Sequence, residues 1–580
     1  MRIWRTGMDT SKDNSVERVV SQRALQMGNS FPCQICVFGF LFGACLTTLF
    51  LAALSTSLGT FAFGGISFSA FSNGITSWNS SSDIIKTEKV IMYSQQTSED
   101  SVDERVSFLY SAWSALLDES TKGEGELPQG ADQVRRSNNN VPKAPHLEDC
   151  KLSAQLNKKL DKRVENERFP PWTLWKGLLD TYPSSTASKR LKSNGAYPPW
   201  ITGSDEENYP LTRKVQRDIW IHQHPPNCND PRVKFLVADS ATTDRLGMGA
   251  QFNKMCGFLA MAIKQRRVLV MKYYNRADHD GCRGPLRSSW SCYFFPETSQ
   301  ECRERAWQLM KKKKAWEKGI ITGRHNYSNT EIWLGQAPRA WGEPWIYLQP
   351  TTDVNGMLIA SHRRMNPRWW RAQALRYLMR FQTEYTCNLL NAERHSAFGR
   401  EAAKLVLATP SKEWLEEVTE EPQSDIERFV WSNHKPWMPR PYISMHVRMG
   451  DKAREMKIVG FEEYMNLAER TRKRFPHVHN ILVSTEMQEV IDKLRSYPHW
   501  NFYYTNVTRQ VGNMSMAAYT ASLGRKTSTN YPLVNFLMAV ESDFFIGALG
   551  SSWSYLIDGM RNTGGKVMAG YLSVNKDRHW

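Results

Sequence analysis

The segment YISMHVRMGDK, residues 442–452, places a short apolar run directly before a cluster of charged side chains. The residues that follow, GFEEYMNLAERTRKRF at 460–475, have the apolar spacing of an amphipathic helix. A buried strand that ends in charged residues and leads into a helix is typical of a doubly wound sheet, in which ligands bind beyond the carboxyl ends of the strands. We therefore expect a strand at 442–447, with the charged residues after it facing a ligand.

The same alternation of strands and helices extends in both directions from this segment. Strands are predicted at 233–239, 267–274, 480–485, 501–505, 543–549 and 566–570. Helices are predicted at 150–167, 252–266, 366–381, 487–497 and 529–542. Strands that alternate with helices predict parallel sheets. We therefore predict an α/β fold of two Rossmann-like lobes that face a cleft, an N-terminal lobe at 216–440 and a C-terminal lobe at 441–580.

The N-terminal region predicts a membrane anchor. No Asp, Glu, Lys or Arg occurs at 24–82, and ICVFGFLFGACLTTLFLAAL, residues 35–54, has the length of a bilayer-spanning helix. Arg18 and Arg23 precede it, whereas the first basic residue after it is Lys86. The positive-inside rule then gives a cytosolic tail at 1–34 and a lumenal remainder. The Ser-, Gly- and polar-rich residues 55–215 read as a stem or linker, and we expect a single-pass type II protein of the Golgi membrane.

The net charge of the chain is strongly positive, which bears on the partners it could bind. The chain has 75 Lys and Arg against 58 Asp and Glu, a formal charge of +17. This balance is compatible with nucleic acid, an anionic membrane surface, an anionic substrate or a basic surface without a specific partner. A lumenal location excludes nucleic acid and permits disulfide bonds and N-glycosylation. The N-x-S/T sequons are headed by Asn79, Asn326, Asn506 and Asn513.

Three loops have the composition of phosphate-binding loops. The charged segment supplies Arg448, whose guanidinium can form paired bonds to a phosphate. The other two are GMGAQ at 247–251, before a predicted helix, and GSSWS at 550–554, where small and hydroxyl residues lead into a helix. On a membrane-anchored, lumenal α/β chain, three such loops predict a glycosyltransferase that uses a nucleotide sugar.

The order of several motifs resembles glycosyltransferase family 23, the α-1,6-fucosyltransferases. The similar segments are IHQHPPNC, KFLVAD, GMGAQFNKMCGFLAMAIKQRRVLV, WSCYFFPETSQEC, RWWRAQALRYLMRF, MHVRMGDK with GFEEYM, and ESDFFIGALGSSWS. The resemblance runs in order from about Ile219 to Asp558. It implies a GT-B-like fold, GDP-fucose as the donor, transfer with inversion to a glycan or glycoprotein acceptor, and no metal or other cofactor.

The resemblance also assigns residues. It implies that Arg448 binds the β-phosphate and that Glu455 is the catalytic base, which we expect Lys452 to orient. The implied donor-site residues are Gly247, Gly249, His446, Asp451, Tyr464, Asn535 and Ser551. It further implies a disulfide between Cys228 and Cys302. The chain departs from the family pattern at Met449, where a second arginine is usual, and at Asn535, where the family has an aspartate expected to read the guanine. It departs also after the LVST strand, where the family's acidic pair is replaced by Glu486 and Met487. It ends at Trp580 without a match to the family's C-terminal SH3-like domain.

Two other functions are compatible with the sequence. Asp278 and Asp280 form a D-x-D pair after a predicted strand, and two such carboxylates can hold Mn²⁺ in a metal-dependent GT-A transferase. Alternatively, the chain is a non-catalytic protein of GT-B fold that binds a glycan or nucleotide. The changes at Met449 and Asn535 motivate that reading.

Overall fold

The computed structural model describes residues 99–121, 141–163, 170, 215–239, 247–277, 281–282, 284–333, 335, 352–354, 357–359, 365–408, 436–450, 452, 456–512, 514–562 and 571–575. All of them lie within one compact unit, Ser94–Trp580. The predicted span at 35–54 lies outside the described residues. Within the described part of the chain, no helix is both long and apolar enough to cross a membrane.

The described residues form a mixed α/β structure with two sheets. The strands are β1 (Lys234–Asp239), β2 (Arg267–Tyr273), β3 (Ile321–Gly323), β4 (Thr352–Val354), β5 (Met357–Ile359), β6 (Tyr442–His446), β7 (Asn480–Ser484), β8 (Asn501–Tyr503), β9 (Phe544–Gly547) and β10 (Tyr571–Ser573). The helices are α1 (Glu99–Thr121), α2 (Cys150–Leu160), α3 (Met248–Lys264), α4 (Gln300–Met310), α5 (Lys313–Glu317), α6 (Asn329–Trp333), α7 (Met365–Leu378), α8 (Glu384–Ala408), α9 (Phe461–Arg474), α10 (Gln488–Lys493), α11 (Met516–Val540) and α12 (Ser552–Asn562).

The first sheet has the order β2-β1-β3, and both pairings are parallel. Helix α3 connects β1 to β2, as the sequence predicts, but it begins at Met248, before the predicted start at 252. Gly247 is its N-cap residue. The predicted parallel β-α-β unit is therefore present, and the GMGAQ loop is the cap and first turn of its helix.

The second sheet has the order β5-β4-β10-β9-β6-β7-β8. Its pairings are parallel except for the antiparallel pair β4–β5. From β6 the chain proceeds outward to β7 and β8, and it then returns to β9 on the other side of β6. The order of strands therefore reverses between β6 and β9, which is the topological switch point where doubly wound sheets bind ligands.

Two features of this sheet differ from the sequence prediction. Strands β4 and β5 were not predicted, because neither three-residue strand shows a readable period. They belong to the second sheet although they precede 441, and the domain boundary at 440/441 stays a prediction. The predicted strand at 566–570 lies outside the described residues, and the last observed strand, β10, starts at Tyr571.

One hydrophobic core connects the two sheets. It joins Leu236 and Leu269 of the first sheet to Phe545 of the second, with Phe252 of α3 and Trp370 of α7 between them. Each of these side chains is fully buried. Trp369 is also buried, so both tryptophans of α7 are core residues. The continuous core fixes α3 against the second sheet, and this contact positions the candidate site.

The residues before the first sheet are also packed against the body. Trp113 of α1 is fully buried and donates a hydrogen bond from its indole Nε1 to the Pro142 carbonyl oxygen at 2.8 Å. It packs in a cluster with Ala402 and Ala403 of α8. Composition alone gives no indication of α1, which lies inside the predicted stem.

Disulfide bonds join distant parts of the chain. Cys228 is bonded to Cys302, the pairing that the family resemblance implies. Cys150 of α2 is bonded to Cys387 of α8, and Cys282 is bonded to Cys292. Two of these pairs were not predicted. Oxidised cysteines at buried positions fit the predicted lumenal environment.

Candidate functional site

The site lies at the carboxyl ends of β6, β7 and β9. Strand β6 ends at His446 and leads to Arg448, β7 leads to Glu486, and β9 leads through Ser551 into α12. Parallel strands present these ends on one edge of the sheet. Arg448, the charged residue that follows β6, therefore lies at the switch point, where the sequence predicts it.

Arg448 is buried and forms an ion pair with Glu486. Its Nη1 donates hydrogen bonds to Glu486 Oε1 and, at 2.6 Å, to the Met449 carbonyl oxygen. Only 6% of Arg448 and 8% of Glu486 is exposed, so the pair is largely removed from water. The cation that was predicted to bind a phosphate is thus held by an acid that the sequence analysis did not assign to the site.

Tyr464 of α9 supports the same turn. Its hydroxyl oxygen accepts a hydrogen bond from the Arg448 backbone N–H at 3.3 Å. Burial raises the pKa of Tyr464 to about 12, so the side chain is a neutral phenol at physiological pH. Its contact is with the backbone of the Arg448 turn, which assigns it a positioning role in this structure.

His446 bridges the switch point. Its Nδ1 and the Ser554 Oγ of α12 are 2.9 Å apart, and both residues are buried. Burial, together with the positive charge of Arg448, lowers the pKa of His446 to about 3. The imidazole is therefore neutral at physiological pH and cannot add positive charge to the site, although it can still donate or accept a hydrogen bond.

The low pKa of His446 predicts a pH-dependent stability. An unfolded histidine has a pKa of about 6.5, so between pH 6.5 and 3 the unfolded chain binds a proton that the folded chain does not. This contribution to stability is complete above pH 6.5 and is lost as the pH falls, by up to about 1.4 kcal/mol per pH unit. His446→Gln is expected to reduce the slope of unfolding free energy against pH between 6.5 and 5, measured by urea denaturation. The exposed His477→Gln is the matched control, and equal slopes for both variants would contradict the pKa.

Two helix N-termini meet beside these residues. A Cβ atom on Gly249 of α3 would lie 3.3 Å from Trp553 Cε3 and 3.4 Å from Trp553 N, in the first turn of α12. The rings of Phe252 and Trp553 are stacked with their centroids 5.8 Å apart. Glycine therefore allows the first turns of α3 and α12 to pack closely. Free backbone N–H groups at helix N-termini favour anions, and here two such ends are adjacent.

The loop after β6 also packs beside the N-terminus of α12. A Cβ atom on Gly550, just before α12, would lie only 2.4 Å from Met456 Cβ, so this loop packs directly on the turn between β9 and α12. Within the loop, the Met456 N–H donates to the Lys452 carbonyl oxygen at 3.0 Å. Asp451 and Glu455 lie outside the described residues, and their roles stay predictions.

Asn535 and Ser551 are buried near this edge. The amide Nδ2 of Asn535 donates to Thr505 Oγ1 at 2.6 Å and to the Tyr531 carbonyl oxygen at 2.9 Å. Those bonds occupy the side-chain donors of the residue that was predicted to replace a base-reading aspartate. Ser551 donates its backbone N–H to the Ala548 carbonyl oxygen at 2.9 Å, which shapes the turn into α12.

Only some of the predicted metal-binding and glycosylation residues lie among the described residues. Among the described residues, no group of three His, Cys, Asp or Glu side chains could hold a metal ion. Asp278 and Asp280, and the sequons at Asn79 and Asn513, lie outside these residues. Asn326 and Asn506 are exposed, as acceptor asparagines must be.

Three residues of this site had no individual role assigned from the sequence: Glu486, Ser554 and Gln510, whose backbone N–H donates to the Glu486 carbonyl oxygen at 2.9 Å. Glu486 could have been found, because it follows β7 just as Arg448 follows β6. Ser554 lies within the predicted GSSWS loop, but its partner, His446, is 108 positions away. Gln510 follows a short strand in a polar segment and has no signal in the sequence.

No protein-family model and no curated protein matches the sequence. Among solved structures, the chain is similar to a mutant of Arabidopsis thaliana FUT1 in complex with GDP. The identity is 12% and the TM-score is 0.26, over 66% of this chain and 79% of the other. A TM-score this low does not establish a common fold, so the function must be inferred from the residues of this chain.

Proposed function

We propose that this protein is a glycosyltransferase that uses a nucleotide sugar, and specifically a GT-B-type, inverting, metal-independent transferase of fucose from GDP-fucose. The observation that carries the proposal is the arrangement at the switch point of the second sheet. Arg448 follows the end of β6, His446 contacts Ser554 in the first turn of α12, and Gly249 in the first turn of α3 packs on Trp553 of α12. The order of motifs that resembles family 23 supports fucose and GDP as the donor components.

The arrangement suits a diphosphate leaving group. Inverting transfer breaks the bond between the anomeric carbon and the β-phosphate oxygen, and the bonding electrons move onto the diphosphate. A guanidinium can bind two phosphate oxygens at once, and adjacent helix N-termini add backbone N–H donors. Donors that stabilise charge developing in a transition state each contribute about 100- to 1,000-fold in rate. Arg448 is therefore the residue on which turnover would depend most.

Donor binding would change the partner of Arg448. In this structure Glu486 holds Arg448 Nη1, and a diphosphate would compete for the same guanidinium. The cost of separating the buried pair would be offset by new charge-assisted bonds to the phosphates. Glu486 would thus weaken the binding of small anions, which form too few bonds to offset the separation of the Arg448–Glu486 pair.

A base must accept the proton of the acceptor hydroxyl as the new glycosidic bond forms. We assign this role to the Glu455 carboxylate, oriented by Lys452, because the neutral His446 is already bonded to Ser554. Burial has made His446 a poor proton acceptor, so its role is to hold the end of β6 against α12 and to donate or accept one hydrogen bond.

The proposal includes a location and a partner. The predicted anchor at 35–54, the three disulfides and the exposed sequon residues Asn326 and Asn506 are compatible with a type II protein of the Golgi membrane. The acceptor would then be a lumenal glycan or glycoprotein.

Turnover with a defined stereochemistry tests the proposal. The full-length chain in detergent is incubated with GDP-fucose, a glycan mixture and excess chelator, and the release of GDP and the anomeric configuration of the product are measured. The expected result is GDP release in chelator, with the product configuration opposite to that of the donor. Retention of configuration would contradict the proposal, as would an absolute need for added Mn²⁺.

The buried Arg448–Glu486 pair also favours a second candidate, a nucleotide- or glycan-binding protein without catalysis. A cation that is permanently neutralised by a buried acid would bind a nucleotide without stabilising its departure. GDP binding without GDP release from GDP-fucose, under all acceptors tried, would support this candidate over the enzyme.

A further inference from the structure

The backbone of Gln510 is fixed beside the Arg448–Glu486 pair. Its N–H donates to the Glu486 carbonyl oxygen at 2.9 Å, and its own carbonyl oxygen accepts from the Gln488 N–H at 3.1 Å. The preceding residue, Arg509, donates from Nε to the Thr485 carbonyl oxygen at 3.2 Å and from Nη2 to the Thr505 carbonyl oxygen at 2.7 Å. Backbone and neighbours therefore hold Gln510 firmly at the end of β7.

The side chain of Gln510, in contrast, lacks an acceptor bond. Only 3% of the residue is exposed, and no described residue donates a hydrogen bond to its Oε1. A buried acceptor without a partner costs about 1–3 kcal/mol. Because native proteins pair nearly all such atoms, one that is left unpaired in a rigid segment requires an explanation.

The position of this amide suggests a ligand. Gly450 has a φ of 68°, the left-handed region that glycine adopts readily. A Cβ atom there would lie 3.8 Å from Arg448 Nη1 and 3.9 Å from Gln510 Nε2. The guanidinium and the amide thus border the same small space, and Gln510 is within reach of a molecule whose phosphates Arg448 binds.

We propose that Gln510 is a specificity residue of the donor site and that its Oε1 accepts a hydrogen bond from the nucleoside part of the bound nucleotide. This inference rests on the proposed function. In a nucleotide sugar each phosphate has only one acidic group, which is ionised at neutral pH, so the diphosphate has no hydrogen to donate and cannot satisfy Oε1. The ribose hydroxyls and the ring and amino N–H groups of guanine can. The unsatisfied carbonyl is thus a stability cost that is recovered when the nucleotide binds.

The test compares GDP with inorganic pyrophosphate, which has the phosphates but lacks the hydroxyl and N–H donors of the nucleoside. Both are titrated by calorimetry into the full-length wild type and the Q510M variant, whose apolar side chain has a similar length. The expected result for Q510M is a loss of about tenfold in GDP affinity, the value of one hydrogen bond, with pyrophosphate affinity unchanged. The thermal midpoint without ligand should stay equal or rise, because the unpaired carbonyl is gone.

Two further variants separate recognition from structure. Q510E keeps an acceptor at this position and should restore the ratio of GDP to pyrophosphate affinity, although its charge weakens both. Q488M alters a neighbouring glutamine, whose Nε2 bonds the exposed Asp492 at 3.0 Å, and should change neither affinity.

An unchanged GDP-to-pyrophosphate ratio in Q510M would overturn the inference and leave the proposed function standing. A lowered thermal midpoint with equal losses for both ligands would overturn it in favour of a structural role. A wild type that binds neither ligand would overturn the proposed function and this inference together.

Discussion

Replacing Arg448 by alanine is expected to lower the turnover of GDP-fucose by about 100- to 1,000-fold. The guanidinium borders the loop at Gly450, where a Cβ atom would lie 3.8 Å from Arg448 Nη1, and it would carry most of the leaving group's negative charge. GDP affinity should fall as well, because the same bonds form in the bound state. GDP release from GDP-fucose, measured at saturating donor, reports the first effect, and calorimetry reports the second.

The burial of Arg448 requires a control for folding. Its removal leaves Glu486 without its cation in a nearly dry position, which costs about 3–5 kcal/mol in comparable pairs. The double variant R448A/E486Q removes this unpaired charge and should recover much of the stability without recovering turnover. Arg472→Ala, which breaks a half-exposed pair with Glu469 on α9, is the matched control. Turnover within threefold of the wild type in a folded R448A/E486Q protein would refute the role of Arg448.

Replacing Glu486 by glutamine is expected to strengthen GDP binding, whereas replacing Arg448 by alanine weakens it. The variant keeps the size and a hydrogen-bond acceptor but removes the negative charge that competes with a diphosphate. GDP affinity should rise about tenfold, a typical value for one charge-assisted bond that no longer has to be broken. The same change should lower the stability of the ligand-free protein, because the buried guanidinium loses its counter-ion.

Calorimetry with GDP and denaturant unfolding without ligand together test the role of Glu486. Glu489→Gln removes an exposed acid of α10 that pairs with Lys493 and should change both quantities little. Weaker GDP binding in E486Q would show instead that Glu486 contacts the nucleotide or organises the site as a ligand.

Much of the fold follows from local patterns. Strands β1, β2, β6, β7 and β9 are short apolar runs that end near their predicted positions. Helix α9 has a clear buried face, whereas α3 is a largely apolar helix that is buried on nearly all sides. Other elements were predicted in part or not at all. Helix α11 starts at Met516, before the predicted 529. The prediction missed its first half because that half is polar and is separated from the rest by a kink at Gly524. Helix α1 was missed for another reason: Val106, Leu109 and Trp113 have helical spacing, but the polar composition around them led to the prediction of a stem.

The candidate site likewise contains residues that the sequence could predict and contacts that it could not. Arg448, His446 and the glycine loop could be predicted, since each follows a strand or precedes a helix in a recognisable pattern. Their contacts could not be predicted, although Glu486 follows β7 in the same recognisable way. Glu486, Ser554 and Gln510 come from segments 38 to 108 positions away and meet these residues only through the strand order of the second sheet. Asn535 could be placed by resemblance, but only the structure shows that Thr505 and Tyr531 occupy its amide.

The central claim, that the switch point of the second sheet is a nucleotide diphosphate site, is tested most directly by calorimetric titration of GDP into the full-length chain in excess chelator. UDP and the R448A/E486Q variant serve as controls. The proposal predicts one GDP bound per chain without metal, weaker binding of UDP and no measurable binding of GDP by the variant. Equal GDP binding by the wild type and the folded variant, or none by either, would contradict it.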